Sequence, residues 1–248
     1  WERLLPPDYE DIISRSMIPV AYATKKDLYE SLCSSPILLD GGKMSFHIDK
    51  TTGKKCYMIG AMELNPEAFN NYWKLTPHVG SRFSKAAVLR NFWEPYTGYE
   101  IEIRGKIETR MLSPKTRYVA YLVYRFETSF KDLQPAKGII NFVNLDEDHD
   151  AERRGTTLHF QPGLAGKSQQ IAVSRPDGWM EVQLGMFYND PGSDGPVSAR
   201  LLKSDESKID LFVEGIEFRP ANAKIGFVSK ENARNGRKGI FSKLRISG

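Results

Sequence analysis

Residues 98–126 (GYEIEIRGKIETRMLSPKTRYVAYLVYRF) commit this chain to a β architecture. In the first half, Ile101, Ile103 and Ile107 fall on one side of an extended chain, and Glu102, Arg104, Lys106 and Glu108 on the other. A period of two marks a strand with one buried and one wet face. Ser113-Pro114-Lys115 interrupts the run, because proline fixes φ and cannot donate to a ladder. Residues 118–124 are then apolar at both parities and rich in β-branched and aromatic side chains. That predicts a strand covered on both faces, in the middle of a sheet. The two halves are expected to form the hairpin around which the fold is built.

Strand-like runs recur at 44–48, 56–60, 138–144, 157–160, 179–188, 197–202 and 209–218, with turn signals such as Asp40-Gly41-Gly42 between them. In the fifth, Met180, Val182, Leu184 and Met186 share a face. In the last, Leu211 and Val213 have the opposite parity to Ile216 and Phe218, so a bulge is expected at Gly215. Residues 1–35 carry helix signals: Leu5-Pro6-Pro7-Asp8 as a start, Thr24 and Asp27 at capping-box spacing, and Ser35-Pro36 as a stop. Residues 65–96 are aromatic but irregular, and are expected to be loops with one helical turn at 86–89. With no βαβ rhythm, the expected fold is mainly β, an antiparallel jelly-roll-like β-sandwich with short N-terminal helices. The chain divides into a helical segment (1–35), the sandwich (36–220) and a basic extension (221–248).

At 248 residues the chain can bury a core without staples. No apolar run approaches the roughly 18 residues of a membrane span, so no membrane partner is expected. Cys33 and Cys56 are too few for a disulfide framework or a zinc site, and there is no Asn-x-Ser/Thr sequon. Both point to a reducing interior, cytoplasm or nucleus. The chain begins at Trp1 without a leader and is expected to be a fragment or processed product. Of the +4 net charge, residues 221–248 supply +6 and the rest −2. The basic tail reads as a solvated extension rather than a nucleic-acid site.

Catalytic motifs are lacking. Residues 163–168 (GLAGKS) imitate a phosphate loop, but Gln161 stands where its first glycine belongs. Asp146, Asp148 and Asp150 have the spacing of a calcium loop, yet Ala151 and Thr157 replace its glycine and its last carboxylate, leaving a solvated acidic loop. His47, His78, His149 and His159 are scattered singly. No enzyme activity, cofactor or metal is expected. The aromatics of 65–96 are less easily assigned to a core. A ring on a loop beside amide and carboxylate side chains can stack on the C–H face of a sugar while its neighbours take the hydroxyls. The candidate carbohydrate-binding residues are Trp73 as the platform, Phe69 and Tyr72 extending it, and Asn70, Asn71 and Glu67 as hydrogen-bonding groups. Trp73→Ala is then expected to abolish binding with little change in melting temperature. The same rings would equally serve as anchors for a protein partner.

Residues 28–43 (LYESLCSSPILLDGGK) resemble the plant phloem-protein-2 family, the Nictaba-like lectins. So do 53–58 (GKKCYM), 105–109 (GKIET), 112–114 (LSP), 118–123 (YVAYLV), 175–185 (RPDGWMEVQLG) and 214–220 (EGIEFRP). The resemblance implies a jelly-roll-like sandwich that binds N-acetylglucosamine oligomers or N-glycans in the plant cytoplasm and nucleus. In the lectin branch two tryptophans carry sugar binding, and Trp73 matches the first of a Tyr-Trp-x-Trp run. Residues 1–9 (WERLLPPDY) resemble the segment that follows the F-box in the family's F-box branch. This implies an F-box absent from this chain, a Skp-type adaptor as its partner, and a ubiquitin-ligase substrate receptor of which this chain is the recognition half. A glycan or glycoprotein is the expected ligand; a glycan-independent module that recruits a degradation target is the alternative.

Overall fold

Alternating apolar positions build two β-sheets whose inner faces close on one core. The computed structural model describes residues 1–64, 73–90, 100–126, 135–145, 148–160, 170–190, 195–204 and 210–222. Two helices, α1 (Tyr9–Ser14) and α2 (Lys25–Ser34), lead into β1 (Ile37–Leu39), β2 (Met44–Ile48), β3 (Lys55–Gly60), β4 (Trp73–Pro77), β5 (Lys85–Arg90) and β6 (Glu100–Glu108). There follow β7 (Thr116–Phe126), β8 (Ala136–Phe142), α3 (Asp148–Arg153), β9 (Thr156–His159), β10 (Gln170–Ile171) and β11 (Val173–Ser174). The last three strands are β12 (Met180–Asn189), β13 (Pro196–Ser204) and β14 (Asp210–Pro220). The larger sheet runs β1-β2-β3-β14-β7-β12-β11, with β5 also paired to β14 and β4 to β5; the smaller runs β10-β9-β8-β13-β6. Among the described strands, only β9 and β10 pair in parallel. The fold is a mainly β, antiparallel sandwich with short N-terminal helices.

Leu122 and Tyr124 of β7, Ile216 and Phe218 of β14, Val197 and Leu201 of β13, and Ile103 and Ile107 of β6 meet in the core. Tyr9 and Ile12 of α1 and Leu28 and Leu32 of α2 belong to the same cluster. Helix α2 starts at the expected capping box: Thr24 Oγ1 accepts from Asp27 N, and Asp27 accepts from Thr24 N.

The supposed hairpin at 98–126 does not exist. Strand β6 is the edge of the smaller sheet, on β13, whereas β7 lies inside the larger sheet between β14 and β12. Parity sets which faces of a strand are covered, and these two strands find their cover in different sheets. Between them the chain turns a corner through a 3-10 turn, Thr109–Met111. The corner is tied by the Tyr118 hydroxyl, which accepts from Ser113 N and donates to Lys55 O, each at 2.9 Å. The helical turn expected at 86–89 is strand β5. Alanine is a poor strand former by itself, but Ala86 and Ala87 pair with β4 and Ala87 with β14, and cross-strand packing overrides local preference. The acidic run at 146–150 reaches into a helix, since α3 starts at Asp148; residues 146–147 lie outside the described residues.

The bulge at Gly215 is present: against β7 the register shifts between Val213 and Gly215, and Leu211, Val213, Ile216 and Phe218 all reach the core. A second bulge was not foreseen. In β12 the register shifts between Gln183 and Gly185, so Phe187 turns inward and Met186, expected on the core face, is half exposed.

On the larger sheet's outer face, positions that an isolated sheet would leave wet are buried under charge. The Arg175 guanidinium donates to Glu181 at 2.8 Å and to Glu217 at 2.7 Å. Arg219 donates to both Glu181 oxygens at 2.9 and 2.7 Å, and lies 3.9 Å above the Tyr121 ring. Arg82 approaches Glu217 at 3.5 Å, and its backbone N–H donates to Glu214 at 2.7 Å. All four carboxylates and guanidiniums of the central group, Arg175, Glu181, Glu217 and Arg219, are at most 4% exposed. Burial opposes ionisation of Glu217, but Arg175, Arg82 and Arg219 outweigh it and hold its carboxyl well below the usual range. His47 lies in the same layer, where burial chiefly, with help from Arg82 and Arg219 against Glu217, lowers its pKa to about 4.

A Cβ at Gly138 of β8 would sit 2.2 Å from the backbone oxygen of Leu184, so Gly138→Ala should cost about 3 kcal/mol in urea unfolding. An unchanged midpoint would mean that the sheets are not so close there. His47 is neutral when folded and binds a proton near pH 6.5 when unfolded, so its contribution is complete above about pH 6.5 and is lost as pH falls towards 4. Stability should fall by about 3 kcal/mol across that window. His47→Gln should remove most of the slope; a slope unchanged in the variant would assign it to other groups.

Candidate functional site

Of the six residues proposed to hold a sugar, Glu67, Phe69, Asn70, Asn71 and Tyr72 lie outside the described residues. Trp73 opens β4, the edge strand of a hairpin with β5. It shares a face with Leu75, whose partner Ala87 is in the core, and its half-buried indole packs on that core. Trp73 is therefore part of a strand and part of the packing, not a free loop ring. Against the expectation of an unchanged melting temperature, removing such a ring would leave a void under the edge of the sheet and is expected to lower stability.

The other face of the same hairpin borders an open cleft of about 500 Å³, lined chiefly by Thr76, His78, Val79, Val88, Arg125 and Phe212. Its floor is aromatic. The His78 ring lies 5.0 Å from Trp179 and 4.9 Å from Phe212, in tilted and edge-on contacts. Beneath them, the buried Trp179 Nε1 donates to Gly80 O at 3.0 Å, which pins the loop that follows β4. Trp179 is itself presented by a tight turn: Asp177 accepts from its backbone N–H at 3.1 Å, and Gly178 takes φ +87°, a conformation glycine adopts without strain. The 175–179 stretch thus supplies both Arg175 to the charged layer and Trp179 to the cleft floor.

Sequence reasoning missed His78, Arg125 and Phe212 as a group, because they come from β7, β14 and the loop after β4. The available signal was parity: in β7, Arg125 follows Val123 on the face opposite Tyr124. A second groove of about 510 Å³ is apolar and runs between residues 16–21 and α2 and β1, with Met17, Ile18 and Leu38 among its walls. Met17 and Ile18 are largely exposed.

Among the described residues, no three His, Cys, Asp or Glu side chains gather where they would hold a metal ion. Burial pushes the Cys33 thiol up and the Cys56 thiol further, so both stay protonated and poor nucleophiles at neutral pH. Both are free thiols. The imitation phosphate loop at 163–168 lies outside the described residues. No described helix is long and apolar enough to cross a membrane.

Against known proteins, the Phloem protein 2 family pattern matches residues 54–220, from β3 to the end of β14. F-box protein PP2-B10 of Arabidopsis thaliana is 36% identical over 240 residues, covering 89% of this chain and 79% of that protein. F-box protein At2g02240 from the same plant is 36% identical over 238 residues, covering 90% and 69%. F-box protein SKIP3 is 32% identical over 239 residues, covering 89% and 75%. A family 35 carbohydrate binding module from Clostridium thermocellum covers 67% of this chain and 98% of its own at 10% identity, with a TM-score of 0.35, too loose a likeness to bear on binding. With two thirds of its length matched by the family and relatives similar over most of theirs, this chain belongs to the phloem protein 2 family.

Proposed function

We propose that the chain is a carbohydrate-binding, lectin-like module and not an enzyme, and that it serves as the recognition half of an F-box ubiquitin-ligase substrate receptor. The observation that carries the binding half is the β4–β5 hairpin of a phloem protein 2 domain, with an indole at its start on one face and an open, aromatic-floored cleft on the other. Shallow concave surfaces with a few aromatic and polar groups suit sugars, which offer both C–H faces and hydroxyls. Trp73, with Phe69, Tyr72, Asn70, Asn71 and Glu67 preceding it, is assigned the stacking and hydrogen-bonding roles. N-acetylglucosamine oligomers or N-glycans are the ligands. The F-box in the names of the relatives supports the second half, with a Skp-type adaptor as the partner of that segment. The free thiols of Cys33 and Cys56 accord with the cytoplasm and nucleus as the setting.

A second reading, a glycan-independent module that recruits a degradation target, is favoured by the apolar groove beside Met17 and Ile18, which has the chemistry of a protein contact. Titration with an N-acetylglucosamine trimer, followed by tryptophan fluorescence, separates the two. The lectin reading expects saturation in the millimolar to micromolar range, about −4 to −8 kcal/mol. Trp73→Ala should abolish that response and lower stability by about 2 kcal/mol, since the indole is half packed. Absence of any response at millimolar sugar, with the chain folded, would transfer the function to a protein partner.

A further inference from the structure

We infer that the cleft on the outer face of the β4–β5 hairpin is a binding site for an anionic saccharide, one whose sugar rings carry carboxylates. The inference rests on the carbohydrate-binding reading and adds a second surface, on the hairpin face opposite Trp73, and the charge of its ligand.

Strand register assembles this surface. Lys74 pairs with Val88, Val88 with Phe212, and Phe212 with Arg125. Directly opposed residues share a face, so these four side chains form one row across β4, β5, β14 and β7. Strands about 4.8 Å apart place the two ends of the row about 14 Å from one another. The row reads cation, aliphatic, aromatic, cation. Both cations are exposed, and neither pairs with a carboxylate among the described residues. Glu214, the carboxylate at the bulge on this strand, is turned to Ser81 and the Arg82 backbone instead.

This differs from the charge layer farther along the sheet, where every guanidinium is matched and buried. Arg125 lines the cleft, and Lys74, at the other end of the row, is exposed next to the lining residue Val88. An Arg guanidinium takes a carboxylate through two parallel N–H donors, and a Lys ammonium acts as a point charge. Between them, Phe212 and His78 offer ring surface for the C–H face of a sugar, and the Thr76 hydroxyl is a donor or acceptor for its hydroxyls. A neutral sugar would use the floor and leave both cations idle. An acidic peptide would use the cations, but the aromatic floor and the carbohydrate-binding reading on which this rests favour a saccharide.

The test is calorimetric titration of the chain with a galacturonic acid trimer, beside an N-acetylglucosamine trimer and a glutamate-rich peptide, at low and high salt. The acidic trimer should bind, weaken as salt rises, and weaken about tenfold in Arg125→Gln and again in Lys74→Gln. Both variants should melt with the parent, since neither side chain is buried; if one fails to fold, the other still decides. Equal affinity in both variants overturns the site. Binding of the neutral trimer alone overturns it while leaving the lectin reading intact. Binding of the peptide alone, or of no ligand, overturns both.

Discussion

Much of the larger sheet depends on one extra residue in β14. Before the bulge, Leu211 and Val213 face the core and β5 is the neighbour; after it, Ile216 and Phe218 face the core and the neighbour is β3. Without the shift, a strand of fixed period two would send one of these pairs outward. The bulge also explains Gly215, since a Cβ there would sit 2.1 Å from the Ile59 backbone oxygen. Its consequence on the opposite face is that Phe212 faces the cleft while Glu217 and Arg219 enter the buried charge layer. One irregularity thereby separates a solvent-facing, ligand-sized surface from a sealed one on the same side of the sheet.

The sealed part is an unusual use of charge. Replacing buried ion pairs by well-packed apolar groups often costs nothing, so the layer cannot be credited with much net stability. Its geometry is selective, however. Arg175 bridges carboxylates from β12 and β14, which are separated by β7, and Arg219 returns from β14 to the same Glu181. A slip of any one of these strands would strand a charge in a buried place, at a cost of several kcal/mol. The layer penalises wrong registers more than it rewards the right one.

Most strand positions were legible because hydrophobic parity is local, and so was the bulge at Gly215, where parity itself breaks. The bulge in β12 was not, because Met186 and Phe187 are both apolar and either phase satisfies the pattern. The false hairpin at 98–126 shows the same limit: parity tells how many faces are covered but not which sheet provides the cover. Strand β5 was hidden by alanines that carry little strand preference. For the candidate site, Trp73 stood out as a residue, but its place on the core comes from the pairing of β4 with β5 and of β5 with β14, the last far away in sequence. Arg125 and Phe212 are 87 positions apart by number and become neighbours only through register.

The two faces of the β4–β5 hairpin constrain where a ligand can sit. On the inner side Trp73 is committed to the core, so a sugar there would meet only the ring's exposed part, with affinity limited by that area. On the outer side the loop after β4 is held from below by the Trp179–Gly80 hydrogen bond and the His78 contacts, so the cleft is formed before any ligand arrives. Preorganisation of this kind spares the ordering cost that weakens binding by mobile loops. The outer cleft is thus the better prepared surface, although the sequence drew attention to the inner ring. Its preparation comes from the RPDGW stretch, whose first residue belongs to the charge layer and whose last supports the cleft. Register locking and support of the cleft floor therefore share one turn, and a change at Arg175 should be felt in both.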